Sequence, residues 1–159
     1  MSRGQYPNTR MRRNRMKAFS RRLVAENRLS TDDLIWPLFV IEGKNQTEAI
    51  DTMPGVLRHS IDQLLEQAHQ AVELGIPAIA IFPSIDASLK DSSGSLAKDK
   101  NNLVCRAVSR IKSAYPNLGI ICDVALDPFT DHGHDGVIKA DEILNDETVD
   151  ILCQQAINQ

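Results

Sequence analysis

Apolar residues along this chain fall into two alternating patterns. Leu34-Ile35-Trp36-Pro37-Leu38-Phe39-Val40-Ile41 is almost continuously apolar, as is Ala78-Ile79-Ala80-Ile81-Phe82, and Gly119 to Asp127 begins with a similar run. Short runs of this kind, without polar alternation, predict strands covered on both faces. Pro37 removes one ladder donor, so the first strand must tolerate a gap there. Between the runs the spacing changes to that of helices. Ile61, Leu64, Leu65, Ala68 and Val72 share one face, with Ser60 and Gln63 spaced as a capping box and Gly75 and Pro77 as a stop. Leu103, Val104, Ala107, Val108 and Ile111 repeat the pattern before Pro116 and Gly119. A third helix is expected to begin near Asn145, as N-cap, and to carry Val149, Leu152, Ala156 and Ile157. Glu42 to Val56, with Gly43, Asn45, Pro54 and Gly55, reads as a connection with room for a small hairpin.

Strand, helix, strand, helix, strand, helix is the order of an α/β fold with a parallel sheet and right-handed crossovers. Three such units leave open strand edges on both sides, so the pattern predicts part of a larger fold. A closed eight-unit barrel takes about 250 residues, and the region after the first 30 residues is near half of that. The expectation is an incomplete (β/α)8 TIM barrel of about three to four βα units, residues 31–159, preceded by an extended arm, residues 1–30.

Composition adds bounds. The 159 residues are 42% hydrophobic and 25% charged, which is ordinary for a globular domain, and no apolar run approaches the roughly 18 to 20 residues of a membrane span. Without an apolar stretch after its first positive charges the chain is expected to be cytoplasmic. Cys105, Cys122 and Cys153 form no CxxC pair and read as reduced, buried thiols. The net charge of −3 hides an asymmetry: residues 1–25 hold eight basic residues and no acid, while the other ten basic residues face all 21 acids. Clustered Arg and Lys suit phosphates, but the arm lacks recognisable groove-reading elements, so docking on an acidic protein face is expected ahead of nucleic acid.

The richest chemistry follows the third strand, where parallel α/β sheets gather functional groups. Asp123-Val124-Ala125-Leu126-Asp127-Pro128-Phe129-Thr130-Asp131-His132-Gly133-His134-Asp135-Gly136 places an aspartate at every fourth position, with two histidines between the last two. If the strand runs through Asp127, alternation puts Asp123, Ala125 and Asp127 on one face. Oxygen and nitrogen donors without a thiolate favour a hard ion such as Mg²⁺; a solvated polar loop is the competing reading. His59 and His69 stand alone and read as structural or exposed. Lys90, Lys98, Lys100 and Lys139 lie in polar stretches, where an amine is not activated as a nucleophile.

These segments carry a family resemblance. Asp32 to Val40, Met53-Pro54-Gly55-Val56, Leu74 to Ala78 and above all Asp123 to Gly136 resemble the delta-aminolevulinic acid dehydratase, or porphobilinogen synthase, family from about residue 10 onward. The resemblance implies the amino-terminal half of a TIM barrel enzyme, a lyase that condenses two molecules of 5-aminolevulinate to porphobilinogen with loss of two waters, in heme and tetrapyrrole synthesis. It implies a homo-octamer whose arm embraces a neighbouring subunit. It gives Asp123 a catalytic place near a substrate amino group. Three metal-binding cysteines of the zinc-dependent members are replaced by Ala125, Asp127 and Asp135, so zinc is not expected at the loop. The magnesium-responsive branch is implied instead, with Asp127 and Asp135 as metal candidates. The two Schiff-base lysines of the family belong to later strands, so the 159 residues alone are expected to be inactive. The alternative is a non-enzymatic product that binds full-length subunits or nucleic acid through its arm.

Overall fold

The computed structural model describes residues 4–10 and 12–159, and the chain divides into two units, Met1–Ser30 and Thr31–Gln159. The first unit is helical over part of its length, where the sequence predicts an extended arm. Helix α1 (Arg13–Met16) and helix α2 (Ala18–Leu23) are joined by hydrogen bonds from Ser20 Oγ to the Asn14 carbonyl (2.7 Å) and from Arg21 to the Arg15 carbonyl (2.9 Å). Tyr6, Phe19, Leu23 and Leu29 are exposed, and the Arg10 guanidinium lies 5.6 Å from the centre of the Tyr6 ring.

The second unit is built on a five-stranded sheet in the order β2-β3-β1-β4-β5. The apolar runs form β1 (Ile35–Ile41), β4 (Ala78–Pro83) and β5 (Gly119–Cys122), all parallel, in register from Ile35 opposite Ala78 and from Ala78 opposite Gly119. The predicted connection contains β2 (Thr47–Ala49), which pairs antiparallel with β3 (Leu57–Ser60). Strand β3 then runs parallel to β1, with Phe39 opposite Arg58. Leu-Arg-His-Ser has no apolar pattern to announce a strand; neighbours on both sides supply its order.

Helix α3 (Ile61–Glu73) buries Leu64, Ala68 and Ala71 and ends before Gly75, whose φ of +71° suits glycine at a helix stop. Its predicted capping box is absent. Ser60 Oγ bonds Asp62 and the Gln46 backbone, and Gln63 Nε2 donates to Asn45, because the hairpin brings competing partners. Helix α4 (Leu103–Ala114) is capped by Asn102, which accepts from the Cys105 N–H at 2.9 Å. Strands β6 (Ile138–Lys139) and β7 (Glu142–Ile143) form a small hairpin, and α5 (Asn145–Asn158) follows with Leu144, not Asn145, at the cap position.

Paired residues in register share a face of the sheet. Leu38, Val40, Ile79 and Ile81 face the helices and form one core with Leu64, Ala68, Leu103, Ala107, Ile111 and Ile151. The other face presents Ile35, Pro37, Phe39, Ala80, Phe82 and Ile121, with the Phe39 and Phe82 rings 5.7 Å apart. Ile35 is 54% and Ile121 45% exposed on that face. Parallel sheets are ordinarily covered on both sides, and this one is covered on one.

Candidate active site at the carboxyl edge of the sheet

Strand β5 stops at Cys122, so the stretch expected to continue it to Asp127 is loop. The alternation argument fails with it: Asp123 and Asp127 are exposed while Ala125 and Leu126 are buried. Side chains from α5 and from the residue that follows it replace ladder partners here. Gln155, fully buried, donates from Nε2 to the Ala125 carbonyl at 3.1 Å, and Gln159 reaches the Asp123 carbonyl at 3.4 Å. Leu126 and Phe129 plug the loop into the core.

The loop is also fastened to the segment after β4. Asp91 N–H donates to the Phe129 carbonyl (3.3 Å), and Asp131 N–H donates to the Asp91 carbonyl (3.1 Å). The Asp91 carboxylate accepts from the backbone and hydroxyl groups of both Ser93 and Ser95, which hold it well below the ordinary carboxylate range, the Ser95 hydroxyl contributing most. Gly94, at φ +62°, lets the turn pass Thr130 and Leu126, which a Cβ would meet at 3.4 and 3.5 Å.

Within the loop, Asp135 Oδ1 accepts from the Leu126 N–H at 2.5 Å and Thr130 Oγ1 donates to the His134 carbonyl at 2.9 Å. His134 N–H donates to His132 Nδ1 at 3.1 Å. That bond leaves Nε2 as the protonated nitrogen of a neutral ring, and Nε2 lies 3.2 Å from the Ser92 carbonyl that accepts from it. The histidines therefore hold the loop in shape; their rings are 5.7 Å apart.

Asp127 is the carboxylate whose environment is tuned upward. Burial raises its pKa, the charges of Asp135 and Asp123 raise it further, and Lys90 partly offsets them. Three sequence-predicted residues, Asp123, Asp127 and Asp135, thus share one electrostatic neighbourhood. Lys90, which has no role as a nucleophile in the sequence reading, joins it as the local cation. Sequence reasoning missed Gln155 and Gln159, whose roles depend on a helix 30 or more residues away. The Asp91 turn was legible in outline from Asp-Ser-Ser-Gly-Ser, a local pattern of hydrogen-bonding side chains.

Among the described residues, no three His, Cys, Asp or Glu side chains gather as a metal-holding group. Asp127 and Asp135 supply two carboxylates, one already engaged by a backbone N–H, against the six oxygen ligands that Mg²⁺ takes. The three cysteines are free; Cys105 is buried, Cys122 half-buried and Cys153 exposed, so the expectation of three buried thiols holds for one. Burial raises the Cys105 and Cys122 thiols, which keeps them protonated.

The chain is thus an α/β protein whose parallel sheet carries an acidic loop cluster at its carboxyl edge. It belongs to the Delta-aminolevulinic acid dehydratase family, whose model matches residues 8–159. A Delta-aminolevulinic acid dehydratase of Bradyrhizobium diazoefficiens is 57% identical over 150 residues, covering 94% of this chain and 42% of the relative. One from Chlamydia pneumoniae is 46% identical, covering 90% and 43%. A chloroplastic relative in Arabidopsis thaliana is 40% identical over 94% of this chain. The crystal structure of the Toxoplasma gondii enzyme, solved with the reaction product porphobilinogen, superposes with a TM-score of 0.89 at 39% identity, covering 94% of this chain and 43% of that one. The chain spans less than half the length of these bacterial relatives. No helix among the described residues is long and apolar enough to cross a membrane.

Proposed function

We propose that residues 31–159 form the amino-terminal part of a (β/α)8 barrel that, when whole, is a porphobilinogen synthase. The observation that carries this reading is the Asp123, Asp127, Asp135 and Lys90 cluster, held at the carboxyl edge of a parallel sheet whose other face is apolar and uncovered. The reaction condenses two 5-aminolevulinate molecules and releases two waters. Asp123, exposed directly after β5, holds a substrate ammonium by charge and hydrogen bonding. Asp127, with its affinity for protons raised, takes up and returns a proton near neutral pH more readily than an ordinary carboxylate. Asp135 shapes the loop by accepting from Leu126.

Covalent activation of the two keto groups requires amines that form Schiff bases. Lys90 lies in a polar stretch and serves as a cation beside Asp127, which is not the desolvated amine that task needs, so the 159 residues by themselves are proposed to be inactive. Magnesium in the whole protein would need donors beyond Asp127 and Asp135, and no step above depends on it. The octamer, the docking of the basic arm on a neighbouring subunit and a cytoplasmic location complete the proposal; the first two rest on the family resemblance and on the charge asymmetry of the chain.

The test compares two proteins: the 159-residue chain, and the same chain continued by the remainder of the Bradyrhizobium diazoefficiens relative. Porphobilinogen is expected from the second and not from the first, and Asp123→Asn in the second is expected to lower the rate at least about a hundredfold. Porphobilinogen from the 159 residues alone, or full activity without the Asp123 carboxylate, overturns the reading.

A further inference from the structure

The loop that carries the carboxylates is held at its two ends by different means. At its first half, Gln155 donates to the Ala125 carbonyl and Gln159 to the Asp123 carbonyl. Its second half is clasped by the Asp91 turn. Asp91 and Thr130 form a parallel bridge, in which the Asp91 N–H donates to the Phe129 carbonyl at 3.3 Å and the Asp91 carbonyl accepts from the Asp131 N–H at 3.1 Å. One residue further on, the Ser92 carbonyl accepts from His132 Nε2 at 3.2 Å. Phe129 and Thr130 are each 1% exposed, so the clasp borders the core.

The Asp91 side chain fixes this turn. Its Oδ1 accepts from the Ser93 N–H (2.8 Å), the Ser93 hydroxyl (2.8 Å) and the Ser95 N–H (3.1 Å), and its Oδ2 accepts from the Ser95 hydroxyl. Ser92, Ser93, Gly94 and Ser95 bring no apolar side chain to pin the backbone, so its order comes from the carboxylate. From the clasp a series of bonds leads to the site. Thr130 Oγ1 donates to the His134 carbonyl, His134 N–H donates to His132 Nδ1, and Asp135, next in sequence, accepts from the Leu126 N–H at 2.5 Å. Leu126 directly precedes Asp127. On the other side of the turn, Lys90 directly precedes Asp91, and its cation acts on the Asp127 carboxylate.

We infer that Asp91 is a positioning residue of the site: through the clasp, its carboxylate sets where Asp127 stands relative to Lys90 and Asp135. The inference rests on the porphobilinogen synthase reading and deepens it, because it separates the two aspartates by what holds them. Asp123, on the half supported by Gln155 and Gln159, keeps its place when the clasp opens, and Asp127 does not. Loss of the Asp91 carboxylate therefore falls on the proton transfer assigned to Asp127 and spares the ammonium contact assigned to Asp123.

Two variants separate hydrogen bonding from charge. Asp91→Ala removes all four bonds, whereas Asp91→Asn keeps an oxygen for the three made by Oδ1 and loses only the bond from the Ser95 hydroxyl. In the 159-residue chain, NMR order parameters of the Leu126 and Asp131 amides are expected to fall from about 0.85 to below about 0.6 in Asp91→Ala and to stay near the parent value in Asp91→Asn, with Ile79 and Ile81 of β4 rigid in both. If Ile79 and Ile81 lose order as well, Asp91→Ala has unfolded the chain; Ser93→Ala combined with Ser95→Ala, which removes two of the four bonds, then takes its place and is expected to loosen Leu126 and Asp131 in the same direction. The second readout uses the chain continued by the remainder of the Bradyrhizobium diazoefficiens relative. There Asp91→Ala is expected to lower kcat, referred to the folded fraction, at least about tenfold with KM for 5-aminolevulinate within about threefold, and Asp91→Asn to restore kcat to within about threefold of the parent. Leu126 and Asp131 as rigid without the carboxylate as with it, Asp91→Asn as damaging as Asp91→Ala, or a raised KM at parental kcat overturns the inference. A continued parent that makes no porphobilinogen overturns the enzyme reading instead, and the order parameters alone then decide whether Asp91 positions Asp127. Parental kcat and KM in Asp91→Ala overturn the inference and leave the enzyme reading in place.

Discussion

Asp91 and Asp127 lie in two loops that touch, yet their surroundings push them in opposite directions. Asp91 accepts four hydrogen bonds from Ser93 and Ser95, so its folded pKa lies below the ordinary 3.8. Its contribution to stability is full above the unfolded value and is lost as pH falls through the folded one. Asp91→Ala is expected to cost about 1–2 kcal/mol at pH 7, allowing for partial exposure, and the difference from the parent should shrink in acid. Asp127 has a folded pKa above the ordinary 3.8, raised by burial and by Asp135 and Asp123. Its ionised form therefore opposes folding above the folded pKa, and the penalty fades as pH falls toward the unfolded value. Asp127→Asn should raise the urea midpoint at pH 7 and lose that advantage on acidification. An Asp127→Asn chain less stable than the parent at pH 7 would show that Lys90, not the neighbouring carboxylates, dominates there.

At the scale of elements, the strands and the two long amphipathic helices were legible because burial imposes a period on the sequence. Leu38, Val40, Ile79 and Ile81 are core residues in the structure as in the pattern. The same logic failed where order comes from partners distant in sequence. Strand β3 is held by β1 and β2, and the Ala125 turn by Gln155, and neither leaves a periodic trace. Ser60 shows the converse, a cap motif overruled because a hairpin delivered better partners. Pro37 is a further case: its position in an apolar run suggested a gap in the ladder, and the gap falls on the edge where no strand lies. Pro37→Ala is accordingly expected to change stability by less than about 1 kcal/mol, mostly through the unfolded chain. A larger loss on urea unfolding would mean that the proline ring itself is packed.

For the second unit as a whole, one side of the sheet has its helices and the other side has none. That asymmetry is a property of neither a strand nor a residue, since each strand carries apolar side chains on both faces. Ile121, 45% exposed on the bare face, is a direct probe. Ile121→Asp should leave the unfolding free energy within about 0.5 kcal/mol of the parent, as for a surface position, while reducing fluorescence of a hydrophobic dye. A loss of several kcal/mol would show that the face is covered after all. The proposed active site belongs to the same scale, because under that proposal Asp123 and Asp127 work only together with groups from elsewhere in the barrel.

The sequence by itself determined the α/β class, the parallel order of its main strands, the family and the acidic loop that is proposed as the site. Those features are written in local periodicity and in a contiguous run from Asp123 to Gly136, and both survive in one dimension. Tertiary structure decided where β5 stops, that β3 joins the sheet, which aspartates share a field, and which strand edges and which face stay open. Each of these depends on groups far apart in the chain meeting at hydrogen-bond or Coulomb distance, and burial or charge at such a meeting is set by the fold as a whole.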